Sequence, residues 1–227
     1  FKKIGIKTLK PFKINKNINK AINQIAAINQ KILDNNLFPI TLGGEHSITP
    51  GCIKPFVKKY KKLTLLHFDA HADLRESYAG EKFSHASAIK RCIDHKNVSV
   101  VSFGIRNISA EEIPILKKNK KRISIYWAKD KKKWDLNKFK KQIKNKDVYI
   151  TFDVDGLDSS IMPATGTPEP GGIFWDEALE IIKTACKNSR IVGADVNELA
   201  PIKGFNSYNF LVAKLVYKIL SYKFLLK

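Results

Sequence analysis

Leu63-Thr64-Leu65-Leu66-His67-Phe68-Asp69-Ala70-His71-Ala72-Asp73 is a near-continuous apolar run that ends in three metal-ligating side chains at alternate positions. A run without polar alternation reads as a strand covered on both faces, the kind found in parallel sheets. Extended backbone points residues i, i+2 and i+4 the same way. An extended continuation therefore turns Asp69, His71 and Asp73 toward one point just beyond the strand.

The same pattern returns far downstream. Ile150-Thr151-Phe152-Asp153-Val154-Asp155-Gly156 is again an apolar run closed by acids at i and i+2. Gathered without counter-charge, four aspartates repel strongly and are costly to bury. Divalent cations remove that conflict. A third element, Pro39-Ile40-Thr41-Leu42-Gly43-Gly44-Glu45-His46-Ser47, places an acid and a histidine after a glycine pair at the start of a helical pattern. Carboxylates with imidazoles form a hard-to-intermediate donor set, suited to Mn²⁺ and compatible with zinc, cobalt, nickel or iron. Two divalent cations held together acidify water toward neutrality.

Further strands are expected at Phe38–Leu42, Val98–Phe103, Ile123–Trp127, Val148–Phe152 and Ile191–Val196, beside Leu63–Phe68. Helical periodicity falls between them at Asn17–Asp34, Thr49–Tyr60, His85–Asp94, Ala110–Lys118, Leu136–Lys144, Trp175–Asn188 and Asn206–Leu226. Strand–helix alternation predicts an α/β fold, a three-layer α/β/α sandwich around a mainly parallel sheet. Such sheets bind small ligands beyond the carboxyl ends of their strands. His46, Asp69, Asp153 and Glu198 all fall at such ends.

The 227 residues suit one domain with a substantial core. No apolar stretch approaches the roughly 20 residues of a membrane span, and the start lacks the apolar segment of a signal peptide. Cys52, Cys92 and Cys186 are odd in number and far apart, as expected of reduced thiols in a cytoplasmic protein. The formal net charge is +20, with 36 lysines among 41 cationic side chains. Runs such as Lys58-Lys59 and Lys131-Lys132-Lys133 are scattered over different predicted elements, with few interleaved aromatics. They read as a solvated lysine surface, and no nucleic-acid or membrane partner is expected.

Gly-Gly-Glu-His-Ser at 43–47, Asp-Ala-His-Ala-Asp at 69–73 and Phe-Asp-Val-Asp-Gly-Leu-Asp at 152–158 occur in the order that marks the ureohydrolases. The chain thus resembles the family of arginase, agmatinase, guanidinobutyrase and formiminoglutamase over nearly its whole length, and shares the expectation of an arginase/deacetylase-like sandwich. The resemblance implies two Mn²⁺ per chain. His46, Asp69, Asp73 and Asp153 would hold one ion, and Asp69, His71, Asp153 and Asp155 the other, with Asp69 and Asp153 bridging. It implies a guanidinium held by Glu198, a proton-shuttling His85 in Phe83-Ser84-His85-Ala86, and Asp73 counted with both in the catalytic set. Five carboxylates against two dications leave a negative pocket, which suits a small cationic guanidino substrate.

Within the family, the loop Leu74–Phe83 and the wording Glu169-Pro170 and Asn197-Glu198-Leu199 look most like agmatinase. The implied activity is hydrolysis of agmatine to putrescine and urea, a step in polyamine biosynthesis, by a homo-oligomer (trimer or hexamer). The loop Met162–Gly172 would line the site entrance. Family members also carry a strand and a Gly/Pro/Arg-rich segment ahead of the matched part, so 1–227 reads as a single ureohydrolase domain lacking them. His67 reads as a core histidine, His95 as surface, and Asp195 as an acid behind the ligands. Competing readings are another ureohydrolase specificity, a metal-binding but inactive or regulatory homologue, and a basic nucleic-acid module. A single-zinc deacetylase would be expected to use paired histidines, and no His-His occurs.

Overall fold

The structure, a computed structural model, describes residues 4–226. Its elements are α1 (Ile18–Asp34), β1 (Ile40–Leu42), α2 (Thr49–Lys59), β2 (Leu63–Phe68), α3 (Ala88–Ile93), β3 (Val98–Phe103), α4 (Glu112–Lys118), β4 (Ile123–Tyr126), α5 (Leu136–Ile143), β5 (Asp147–Asp153), α6 (Trp175–Asn188), β6 (Arg190–Asn197) and α7 (Asn206–Leu225). The strands form one sheet in the order β1-β6-β5-β2-β3-β4, and every pairing is parallel. This is the expected α/β architecture.

Alternation along each strand divides the core in two. Leu63, Leu65, Val98, Val100 and Tyr149 pack with Ile25 and Leu33 of α1, Ile53 and Phe56 of α2 and Ile89 of α3. Leu66, Phe68, Val101, Phe103, Ile150 and Phe152 face Phe139 of α5, Ile181 and Ile182 of α6 and Leu215 and Ile219 of α7. Helices therefore cover both faces. Each such side chain contributes roughly 1.5–3 kcal/mol by leaving water. Helix α1 shows how the pattern arises: Ala21, Ile22, Ile25, Asn29 and Leu33 make its buried stripe, and Asn17 caps it by accepting from Lys20 N–H at 3.1 Å.

Boundaries differ from expectation where side chains intervene. Strand β1 begins at Ile40 because Pro39 has no N–H to donate; it offers only its carbonyl, to Ala194 N–H at 3.1 Å. The helix expected at His85–Asp94 opens as a single 3₁₀ turn, His85–Ser87, before α3. The helix expected from Ala110 starts at Glu112, whose carboxylate accepts from Ser109 N–H at 2.7 Å. Among the described residues no helix is long and apolar enough to cross a membrane. Cys52, Cys92 and Cys186 are free thiols.

The topology places the site. The chain leaves β2 toward β3 on one side and leaves β5 toward β6 on the other, although β2 and β5 are neighbours. The crevice beyond their carboxyl ends is the switch point where ligands bind in open parallel sheets. Phe68 is level with Phe152, which sets Asp69 beside Asp153.

Candidate metal centre

Two glycines let the strand ends meet. A Cβ on Gly156 would lie 2.7 Å from Asp69 N, and one on Gly104 would lie 2.9 Å from Asp69 O. The backbone at Asp69 is therefore held between β3 and the turn after β5, where no larger residue fits. Two other site residues take left-handed backbone: Asp73 at φ 51° and Glu198 at φ 66°. That conformation is uncommon outside glycine and is kept only where neighbours enforce it. At Asp73 the enforcers are Lys90 N–H, donating to the Asp73 carbonyl at 2.8 Å, and Glu112, which accepts from Leu74 N–H at 2.7 Å. At Glu198, its own N–H donates to Gly44 O at 2.7 Å, and its carboxylate accepts from His46 N–H at 2.7 Å.

The structure brings together all six residues expected to bind metal. His46 Nδ1 lies 3.0 Å from Asp69 Oδ2, 3.0 Å from Asp73 Oδ2 and 3.5 Å from Asp153 Oδ2. His71 Nδ1 lies 3.1 Å from Asp155 Oδ2 and 3.5 Å from Asp69 Oδ1. Asp69 thus sits between the two imidazoles. Asp155 is aimed by Ala70 N–H at 3.0 Å, Thr167 O–H at 3.1 Å and its own N–H, which donates to Asp153 Oδ1 at 2.9 Å. All four aspartates are buried.

Burial and mutual repulsion show in the proton affinities. Burial, then the Asp69 charge, push Asp73 up to about 7. Burial, then the charges of Asp155 and Asp69, push Asp153 well above the carboxylate range. Burial would raise Asp69 as well, but the close imidazoles of His46, His67 and His71 outweigh it and hold that carboxyl well below its usual range. Burial disfavours the His71 cation, yet bonds to Asp155 and Asp69 carry it up to about 11. The site concentrates more negative charge than its own groups can neutralise.

A cation fits that description by two further tests. His46 Nδ1 is buried and makes no hydrogen bond of acceptable geometry despite the carboxylates around it. Ligand atoms of Asp69, His71 and Asp155 all lie within 4.8 Å of one another, as do those of His46, His67 and Asp69. His67 is the weaker donor of the second set. Its Nε2 is 2.9 Å from Asp69 Oδ2 and its Nδ1 is 3.0 Å from Ser102 Oγ, so both ring nitrogens are engaged. It is a core histidine, as expected, and it also braces Asp69.

His85 and Glu198 stand apart from the aspartates, on the wall of an open cleft of about 430 Å³. The His85 side chain is 46% exposed, and its Nδ1 is 4.0 Å from Glu45 Oε2. The Tyr78 ring meets its imidazole edge-on at 5.4 Å between centroids. Among the described residues Arg75 is the one Lys or Arg on the wall, and its guanidinium lies 5.2 Å from the Tyr78 ring centre. Three neutral side chains of the wall already donate to carboxylates: Asn107 to Glu169 at 2.7 Å, Ser109 to Glu112 at 2.9 Å and Thr167 to Asp155.

Two residues escaped the reading of motifs. Thr151 Oγ1 lies 2.8 Å from His46 Nε2 and donates to Asp195 Oδ1 at 2.7 Å. Arg106 donates to the carbonyls of Gly104, Asp155, Gly156, Leu157 and Glu169 at 2.6–3.4 Å. It ties the turn after β5 to the loop that rims the cleft. Thr151 had one signal, a hydroxyl two residues before the first acid of its cluster; Arg106 had none.

A family model described as the arginase family matches residues 1–221. Agmatinase of Bacillus anthracis is 38% identical over 196 residues, covering 82% of this chain and 63% of its own. The N(1)-aminopropylagmatine ureohydrolase of a Synechocystis species is 32% identical over 194 residues, covering 84% of this chain and 62% of its own. Agmatine ureohydrolase of Thermoplasma volcanium superposes with a TM-score of 0.82 at 30% identity, over 93% of this chain and 71% of that one. The chain thus spans slightly less than two thirds of the length of these two curated relatives.

Proposed function

The chain belongs to the arginase family, and from that premise we propose that it is a binuclear manganese hydrolase cleaving agmatine to putrescine and urea. The observation that carries the reading is the convergence of His46, Asp69, His71, Asp73, Asp153 and Asp155 at the switch point, with Glu198 on the wall above them. One ion would be held by His46, Asp69, Asp73 and Asp153, the other by Asp69, His71, Asp153 and Asp155. When bound, the ions supply the positive charge that the clustered carboxylates lack and acidify water.

The remaining steps fall to side chains. Glu198 accepts two N–H bonds from the planar guanidinium, a charge-assisted pairing that orients its carbon toward the aspartates. Addition of water to that carbon and cleavage of its bond to the alkyl nitrogen yield urea and a primary amine. The leaving nitrogen departs as an ammonium, so it takes up the two protons that water gives up as its oxygen becomes the urea carbonyl. His85, at the cleft mouth, is placed to carry them, because imidazole exchanges protons near neutral pH.

The wall favours a substrate without an α-carboxylate. Asn107, Ser109 and Thr167 already donate to carboxylates, which leaves Arg75 and the Tyr78 hydroxyl to meet an anionic tail. Glu45, Glu112 and Glu198 suit a cationic one. The open cleft also has room for the longer amine named for the Synechocystis relative, which gives a second reading. We place the enzyme in the cytoplasm as a trimer or hexamer. Hydrolysis with Mn²⁺ supplied, read as urea from agmatine, N(1)-aminopropylagmatine, arginine and guanidinobutyrate and as formamide from formiminoglutamate, tests the assignment. Preference for arginine would overturn the argument from the wall, and hydrolysis of none of them would overturn the hydrolase reading.

A further inference from the structure

Behind His46 lies a polar chain sealed from water: His46, Thr49, Thr151, Asp195 and Asn197 are each buried completely. It is built into strand register, since Thr151 faces Asp195 and Asp153 faces Asn197 across β5 and β6. Its donors and acceptors can be counted. Asp195 Oδ1 takes Asn197 Nδ2–H at 2.6 Å, Thr151 O–H at 2.7 Å and Thr49 O–H at 3.1 Å. A threonine hydroxyl has one proton and two lone pairs. Once that proton is given to Asp195, Thr151 can only accept from His46, 2.8 Å away.

We propose that Asp195, acting through Thr151, is a positioning residue that fixes the tautomer His46 takes as a neutral metal ligand. Nε2 carries the hydrogen and donates to Thr151, so Nδ1 keeps a bare lone pair aimed between Asp69 and Asp73. That is the nitrogen with no hydrogen bond of its own, 3.0 Å from each of those carboxylates. The opposite tautomer would set an Nε2 lone pair against an oxygen with no proton to offer, and would close the ligand position. The arrangement matches the general rule that a metal-binding imidazole is oriented by a partner on its other nitrogen. Here the partner is a hydroxyl, itself set by a carboxylate two strands from Asp69. The inference rests on the binuclear-metal reading above.

Mn²⁺ titration followed by the spectrum of the free ion tests it on the chain as it exists. Thr151→Val keeps shape and removes the hydroxyl. Its Mn²⁺ affinity should fall roughly 10–100-fold, with the loss concentrated in one of two equivalents. Thr151→Ser should restore it. Asp195→Asn, whose amide can present N–H to Thr151 and reverse the hydroxyl, should fall as far as Thr151→Val. Thermal unfolding of the metal-free variants separates ligand orientation from general loosening, because Thr151→Val and Thr151→Ser should then unfold within a few degrees of each other. Wild-type affinity in Thr151→Val, beside a wild-type chain that binds two ions, would overturn the relay and leave the metal reading standing. Equal loss in Thr151→Val and Thr151→Ser would likewise overturn it, by assigning the effect to packing of the methyl group. A wild-type chain that takes up no Mn²⁺ would bring down both.

Discussion

The two halves of the aspartate cluster are built differently. The inner half centres on His46, whose side chain is 1% exposed. It draws on strand ends and on backbone held in left-handed conformation. The outer half centres on His71, 26% exposed, and opens through Asp155 and Thr167 onto the cleft and its rim, braced by Arg106 and Glu169. In the inner half no water can substitute for a missing partner, so charge must be balanced by what the fold or a bound cation provides. In the outer half water can stand in, and side chains are free to meet a substrate. Losses should therefore grow steeper from mouth to floor.

The largest effect is expected where the halves share a ligand. Asp153 lies 3.5 Å from the inner imidazole and receives the backbone N–H of the outer Asp155. Asp153→Ala should lose both ions and slow urea release by roughly 10³-fold or more. His46→Ala should deplete mainly the inner ion. Elemental analysis checks both, and two metals per chain in Asp153→Ala would defeat the idea of a shared ligand.

At the mouth, effects should split between turnover and binding. His85→Asn should retain both metals and slow turnover by roughly 10²–10⁴-fold, with a changed pH–rate profile. Glu198→Gln keeps shape and removes charge, so KM should rise by roughly 10–100-fold, the worth of a charged hydrogen bond. Steady-state kinetics across pH 6–9 would separate them. Near-wild-type turnover in His85→Asn would mean that protons leave by another route.

What was legible in the chain follows the same division. Strands β2 and β3 ran where their apolar stretches did, and the aspartate pairs announced themselves because extended backbone repeats every two residues. Parallel strands then had only one way to gather them, at their carboxyl ends. Thr151 and Arg106 were not legible, because their roles depend on partners 105 and 49–63 residues away. Beyond its place two residues before Asp153, nothing local distinguishes Thr151 from a β-branched strand residue, and nothing distinguishes Arg106 from a surface cation. His67 was legible as core and not as a brace, since only the register of β2 with β3 sets it against Ser102.

Arg106 tests how the outer half is joined to the sheet. Its guanidinium supplies five carbonyls that have few other donors. Arg106→Ala leaves them to water or unpaired, and should cost about 1–3 kcal/mol in urea-denaturation midpoint analysis. Arg106→Lys should recover little, because an ammonium cannot span two loops as a planar fork does. Full recovery in Arg106→Lys would show that charge, and not the fork, holds the rim.

The smallest effect concerns Asp158, where the rim loop leaves the sheet. Burial alone would raise its carboxyl, but Ser160, through its hydroxyl and its N–H, and the Gly172 N–H outweigh that and hold it at about 2. A carboxyl depressed in the folded state binds fewer protons there than in the unfolded chain. Its contribution is therefore complete above the ordinary aspartate range, and is lost as pH falls through that range toward 2. Asp158→Asn keeps much of the hydrogen bonding without the titration. The stability difference between wild type and variant should be constant above about pH 5 and should shrink below about pH 4. Denaturant unfolding at a series of pH values reads it directly. A difference that stays flat down to pH 2 would mean the loop is held by its backbone path, with no help from the Asp158 charge.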